Sequence, residues 1–189
     1  GGSIREGIVG TPHLVNPLLA STEADRDLAG LLYAGLMKSD GEGGLETALA
    51  SNYTISEDGL VYEFTLRDNL RWHDGQPLTA DDVAFTIQAA KNPAIKSPLR
   101  ANWEGVEVIV VNDKTIRFAL KKPYAPFLEN TTVGILPRHI WKNATTDQFS
   151  LSEYNRSGIG AGPYRVDRID RNAAGIITAY DLRAFDGYA

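Results

Sequence analysis

The sequence predicts an α/β fold in which antiparallel hairpins and helices share one core with a mixed sheet. Three observations carry this. Leu60, Tyr62, Phe64 and Leu66, and later Ile116, Phe118 and Leu120, alternate with more polar neighbours, the period of a half-buried strand. Leu28, Leu31, Leu32 and Leu36, and later Val83, Ala84, Ile87 and Ala90, recur at helical spacing. Apolar residues make up 43% of the 189 residues and charged residues 23%, a composition able to bury a core.

The elements follow in order. Ile4 to Val9 predicts an opening strand, which Thr11 to Asn16-Pro17 interrupts. A helix is expected from Glu23 to Met37, capped by Thr22 with Asp25 as the return partner. Asp40 to Gly44 is a turn-rich connector. Tyr53-Thr54-Ile55, the turn Glu57-Asp58-Gly59 and the strand from Leu60 form a hairpin. Leu70-Arg71-Trp72-His73 leads into a second turn at Asp74-Gly75. Thr79 then caps a helix from Ala80 to Lys91, with Asp82 as its partner. Asn92 to Asn102 is loop, broken by Pro93 and Pro98. A second hairpin runs through Val106–Val111, turns at Asn112-Asp113-Lys114 and returns by Leu120. Pro123 to Trp141 holds short helical pieces. Gly158 to Gly162 is a glycine-rich crossing, and Tyr164–Ile169 and Ile176–Leu182 read as closing strands.

Composition excludes several function classes. A net charge of −5 argues against a nucleic-acid partner, whose binders carry a basic face. With no cysteine there is no disulfide, no thiolate nucleophile and no Cys-ligated zinc. No apolar run reaches the roughly 18 residues of a membrane span. The opening Gly1-Gly2-Ser3 lacks the regions of a signal peptide and reads as an appended scar or as the cut left when a signal is removed.

Catalytic equipment is thin, so no enzyme is expected. His13, His73 and His139 stand far apart, without metal-ligand spacing, and no catalytic or metal residue is assigned. Gly158-Ile159-Gly160-Ala161-Gly162 lacks the Gly-Lys-Ser/Thr ending of a phosphate loop and is followed by proline, so a close backbone crossing is the better reading. Asp81 and Asp82 fall in a first helical turn, where carboxylates meet the positive end of the helix dipole. Trp72 is expected in the core. Trp103, after a proline-broken loop, is a candidate for lining a groove.

Specific strings add a resemblance. Asn16-Pro17, Asp27-Leu28 and Tyr33-Ala34-Gly35-Leu36 come first. The long run from Leu60 to Val83, with Arg71-Trp72-His73-Asp74-Gly75-Gln76-Pro77-Leu78-Thr79-Ala80-Asp81-Asp82 at its heart, is the most specific. Thr115-Ile116-Arg117-Phe118, Leu136-Pro137-Arg138-His139-Ile140-Trp141 and Gly160-Ala161-Gly162-Pro163-Tyr164 follow in order, and Phe185 and Tyr188 close the series. Together they resemble the family 5 extracellular solute-binding proteins, the peptide, dipeptide and nickel receptors of ABC importers. Ala161 departs from the threonine common at that position.

The resemblance implies a mixed-sheet lobe of a type II periplasmic-binding-protein-like fold, present only in its N-terminal part, with the last segments of that lobe and the whole second lobe absent. It implies a division into a lobe-core start at 1–40, an inserted hairpin-and-helix subdomain at 41–157, and return strands at 158–189. It implies capture of oligopeptides or dipeptides outside the cytoplasm of a bacterium, in the periplasm or at the cell surface, and delivery to a membrane permease. A nickel-chelate receptor and a solute-sensing domain of a regulator are the alternatives. No cofactor is implied. Ala20, Ser21, Thr22 and Glu23, before the first helix, face ligand in this family, and helix capping by Ser21 or Thr22 is compatible with that. Leu99 lies near a side-chain pocket of peptide-binding relatives, with an exposed surface loop as the competing reading. The acidic anchor for a peptide amino terminus belongs to the other lobe. One lobe alone is expected to bind solute weakly, and its uncovered face is a possible dimer surface.

Overall fold

Helix α1 (Glu23–Leu32) begins at the expected cap. The Thr22 hydroxyl accepts from the Asp25 N–H at 3.1 Å, and the Asp25 carboxylate accepts from the Thr22 N–H. Its buried face is Ala24, Asp25, Leu28, Ala29 and Leu32. The computed structural model describes residues 4–188, so Gly1-Gly2-Ser3 and Ala189 lie outside the described residues.

The helix stops at Leu32, not at Met37 as its periodicity predicts. Tertiary partners outbid the next helical turn. The Leu32 carbonyl accepts from the Gly162 N–H at 2.9 Å, and the Ala34 carbonyl from the Ile135 N–H at 2.9 Å. Residues 33–36 are drawn out into an extended segment whose Gly35 and Leu36 carbonyls receive the N–H groups of Leu49, Ala48 and Ala50. Met37 enters strand β1 (Met37–Ser39), which pairs antiparallel with β2 (Leu45–Thr47) across the expected Asp40–Gly44 turn. Leu36 and Met37 are buried all the same, by sheet and loop contacts.

The two hairpins merge into one sheet. Strands β3 (Ala50–Ile55), β4 (Val61–Leu66), β5 (Glu107–Asn112) and β6 (Thr115–Ala119) lie in the order β3-β4-β6-β5. Register places Tyr62 opposite Phe118 and Phe64 opposite Ile116, so the inward residues of both hairpins share one face. Helix α2 (Ala80–Lys91) packs on β5 and β6 through that face, burying Val83, Ile87 and Ala90. Ala84 is only partly covered, and Thr86 takes a buried place instead. The Thr86 hydroxyl donates to the Asp82 carbonyl and accepts from the Leu136 N–H, joining the helix to the segment beyond.

Short helices bridge the rest: α3 (Arg100–Trp103), α4 (Phe127–Asn130), α5 (Arg138–Trp141) and α6 (Thr146–Phe149), then a single 3-10 turn at Glu153–Asn155. Strands β7 (Tyr164–Arg171) and β8 (Ile177–Ala184) form a separate hairpin, with β7 resting on α1. The fold is α/β as expected, but the sheets among the described residues are not mixed, because each pairing is made between strands that run in opposite directions, most of them joined as hairpins. Every strand pair among the described residues is antiparallel.

The opening segment differs from its expectation. Ile4 to Val9 forms no strand, and Ile4 and Val9 are each 95% exposed. A short apolar segment becomes a strand only when a neighbour supplies ladder partners, and none of the described residues pairs with this segment.

Candidate functional site

The loop ahead of α1 is held from both sides. The buried Asp25 carboxylate accepts from the His13 N–H at 2.7 Å and the Leu14 N–H at 3.0 Å. Burial opposes its charge, but the hydrogen bonds from Leu14, His13 and Thr22 prevail and hold the carboxyl below the usual range. Asn16, also buried, donates from Nδ2 to Asn155 Oδ1 at 3.0 Å and accepts the Leu18 N–H at 2.9 Å. These bonds fix a turn at 16–20 that leads into Ser21 and the helix cap.

A second loop is fastened to the same turn. The buried Ser97 hydroxyl donates to the Leu18 carbonyl at 2.6 Å and accepts from the Leu99 N–H at 3.2 Å. Two segments nearly eighty residues apart in sequence, 18–23 and 97–99, thus become neighbours. Ala20 and Leu99 are half-buried there, and Ser21, Thr22 and Glu23 are exposed. Glu23 brings a carboxylate to this surface and Leu99 an apolar side chain.

Trp103 is corrected. It is 1% exposed and packs against Phe118 and Phe127, with ring centroids 5.6 and 5.7 Å apart. The one-turn helix α3 points the indole inward, where Tyr62 and Phe64 complete an aromatic cluster, so it has no surface to offer a groove. Trp72 is fully buried, as expected.

The remaining candidates act as structure. Asp82 accepts from the Thr79 N–H at 2.9 Å and the Arg138 N–H at 2.8 Å, so one carboxylate serves the starts of both α2 and α5. Burial nonetheless raises its pKa above the ordinary carboxylate value. Asp81 is exposed. His139 pairs with Asp74 at 2.8 Å. Among the described residues, no group of three His, Cys, Asp or Glu side chains is placed to hold a metal ion.

The glycine crossing is a close backbone approach. A Cβ on Gly160 would drive into the Leu32 carbonyl, one on Gly158 into the Tyr33 hydroxyl, and one on Gly162 would come within 2.6 Å of the Leu32 backbone. What sequence reading missed is the role of Ser97 and Asn16. Each is a buried polar residue in a loop, and such a residue must find a partner, but which partner depends on chain separation that periodicity does not reach.

This architecture is that of part of a lobe from a solute-binding protein. Residues 44–188 match the family model described as bacterial extracellular solute-binding proteins, family 5 middle, and the chain belongs to that family. The oligopeptide-binding protein AppA of Bacillus subtilis is 31% identical over 87% of this chain and 31% of its own length. Its solved structure, in complex with a nonapeptide, superposes with a TM-score of 0.86 at 29% identity, covering 96% of this chain and 36% of that one. The dipeptide-binding protein of Escherichia coli is 29% identical over 95% of this chain and 37% of its own length. NikZ of Campylobacter jejuni, solved in complex with Ni(L-His), is 34% identical with a TM-score of 0.75 over 88% of this chain and 32% of that one. The chain therefore spans about a third of the length of these relatives. Among the described residues no helix is long and apolar enough to cross a membrane.

Proposed function

We propose that this chain is part of an extracytoplasmic receptor that captures oligopeptides or dipeptides and delivers them to the permease of an ABC importer. The observation that carries the reading is the match, over nearly the whole chain, to a relative solved with a nonapeptide. Binding, not catalysis, is the activity. A strand-like peptide gains affinity from main-chain hydrogen bonds, which tolerate varied side chains. In this reading Ala20, Ser21, Thr22 and Glu23 offer backbone and hydroxyl groups to the ligand, and Leu99 lines a side-chain pocket beside them. The Ser97–Leu18 bond holds the two loops at one height. The segments 1–40 and 158–189 form the lobe core in this proposal, and 41–157 the inserted subdomain. Closure of a partner lobe completes the enclosure and presents the loaded form to the permease. A dimer of this chain through an uncovered face finds no support among the relatives.

A second reading, nickel-chelate capture, is favoured by one observation, the likeness to a relative solved with a nickel–histidine complex. Native mass spectrometry of the protein from its own host separates the two. Co-purifying peptides support the first reading. Retained nickel with histidine, and no peptide, transfers it to the second. Neither cargo, with no gain on adding either, overturns both.

A further inference from the structure

We propose that His73 is a positioning residue with a pH-sensitive grip. Its neutral ring clamps the glycine crossing, and with it the β7–β8 hairpin, to the Trp72–Gly75 turn, and protonation of the ring releases the clamp. The inference does not rest on the proposed function.

Three bonds define the clamp. The His73 N–H donates to the Gly160 carbonyl at 2.9 Å. The Gly160 N–H donates to His73 Nδ1 at 3.1 Å. His73 Nε2 lies 3.1 Å from the Gly162 carbonyl. A backbone N–H only donates and a carbonyl only accepts, so Nδ1 must be bare and Nε2 must carry the proton. The site therefore selects one neutral tautomer. Adding a proton at Nδ1 sets two N–H donors against each other and forfeits the Gly160 bond.

The surroundings do little to rescue the cation. Burial is the largest influence and lowers the pKa of the ring, opposed by the Gly162 carbonyl and by Asp74 and supported by Arg165. Asp74 is already paired with His139 of α5. From β7, Arg165 and Asp167 line the same open cleft of about 340 Å³, and Asp167 faces Arg183 at 3.6 Å. The Tyr33 hydroxyl reaches the crossing from the end of α1, and the Phe185 ring covers the imidazole edge-on with centroids 4.8 Å apart. Gly160 and Gly162 also touch the Leu32 end of α1, so loss of the clamp loosens both the hairpin and its seat.

The direction in pH follows from linkage. A ring whose folded pKa lies below its unfolded value contributes stability that is full above the ordinary histidine value, about 6.5, and drains as pH falls below it toward the folded value. Hydrogen exchange on the chain between pH 5 and 7.5, normalised to intrinsic rates, tests this. Protection at the Gly160 amide is expected to stay level above about pH 6.5 and to fall by up to about tenfold per pH unit below it. His73→Gln keeps one acceptor and one donor without titrating, and its protection is expected to stay flat. His139→Gln is expected to leave the response in place. The same slope in His73→Gln, or its loss in His139→Gln, overturns the proposal. If His73→Gln fails to fold, ring nitrogen shifts of the unaltered chain decide. The Nε2–H tautomer at neutral pH, changing together with the Gly160 amide, supports the clamp, and a ring that titrates while that amide stays fixed refutes it.

Discussion

Single carboxylates and the bare hydrogens of glycines hold much of this chain together. Asp25 ties the loop at 13–14 to the helix cap at Thr22. Asp25→Ala leaves several N–H groups without acceptors and is expected to cost about 3 kcal/mol in chemical denaturation. Because the folded carboxyl titrates below the ordinary range, its contribution is complete above about pH 4 and drains as pH falls further. The acid limb of the unfolding curve should therefore flatten in the variant. Gly160 shows the opposite economy, a side chain that must be absent. Gly160→Ala places a methyl against the Leu32 carbonyl and is expected to cost about 3 kcal/mol, read as a lowered denaturation midpoint.

At the level of elements, α1 is a helix cut short by its neighbours. Its last turn carries no basic residue, and the Leu32 carbonyl is satisfied by Gly162 from the crossing. Gly30, exposed on this helix, meets nothing where a Cβ would stand. Gly30→Ala is thus expected to stabilise by about 1 kcal/mol, a raised midpoint with unchanged slope. The two candidate loops are coupled through one hydroxyl. Ser97→Ala strips the Leu18 carbonyl of its donor, with an expected cost of about 1.5 kcal/mol. Exchange should quicken at the Leu99 amide, which also loses its acceptor. An unchanged Leu99 amide would show that the loops hold position without this bond.

For the whole molecule, the decisive fact is that it covers about a third of its relatives' length. An enclosure built from two lobes gains its affinity from contacts made on both. Calorimetric titration of the isolated chain with oligopeptides is expected to give weak binding or none, and micromolar or tighter affinity would contradict the proposed division of labour. The local grammar was legible in advance. Both capping pairs, Thr22 with Asp25 and Thr79 with Asp82, the alternating strands and the close glycine crossing were all written in short-range patterns, because each is set by residues three or four apart or by a missing Cβ. The end of α1, the unpaired Ile4–Val9 and the inward Trp103 were not, because a helix terminus, a ladder and a buried face are each decided by a partner distant in the chain. The proposed site was reached only through the family resemblance, and only folding brought Ser97 to Leu18, since proximity across 79 positions is a property of packing and leaves no periodic trace.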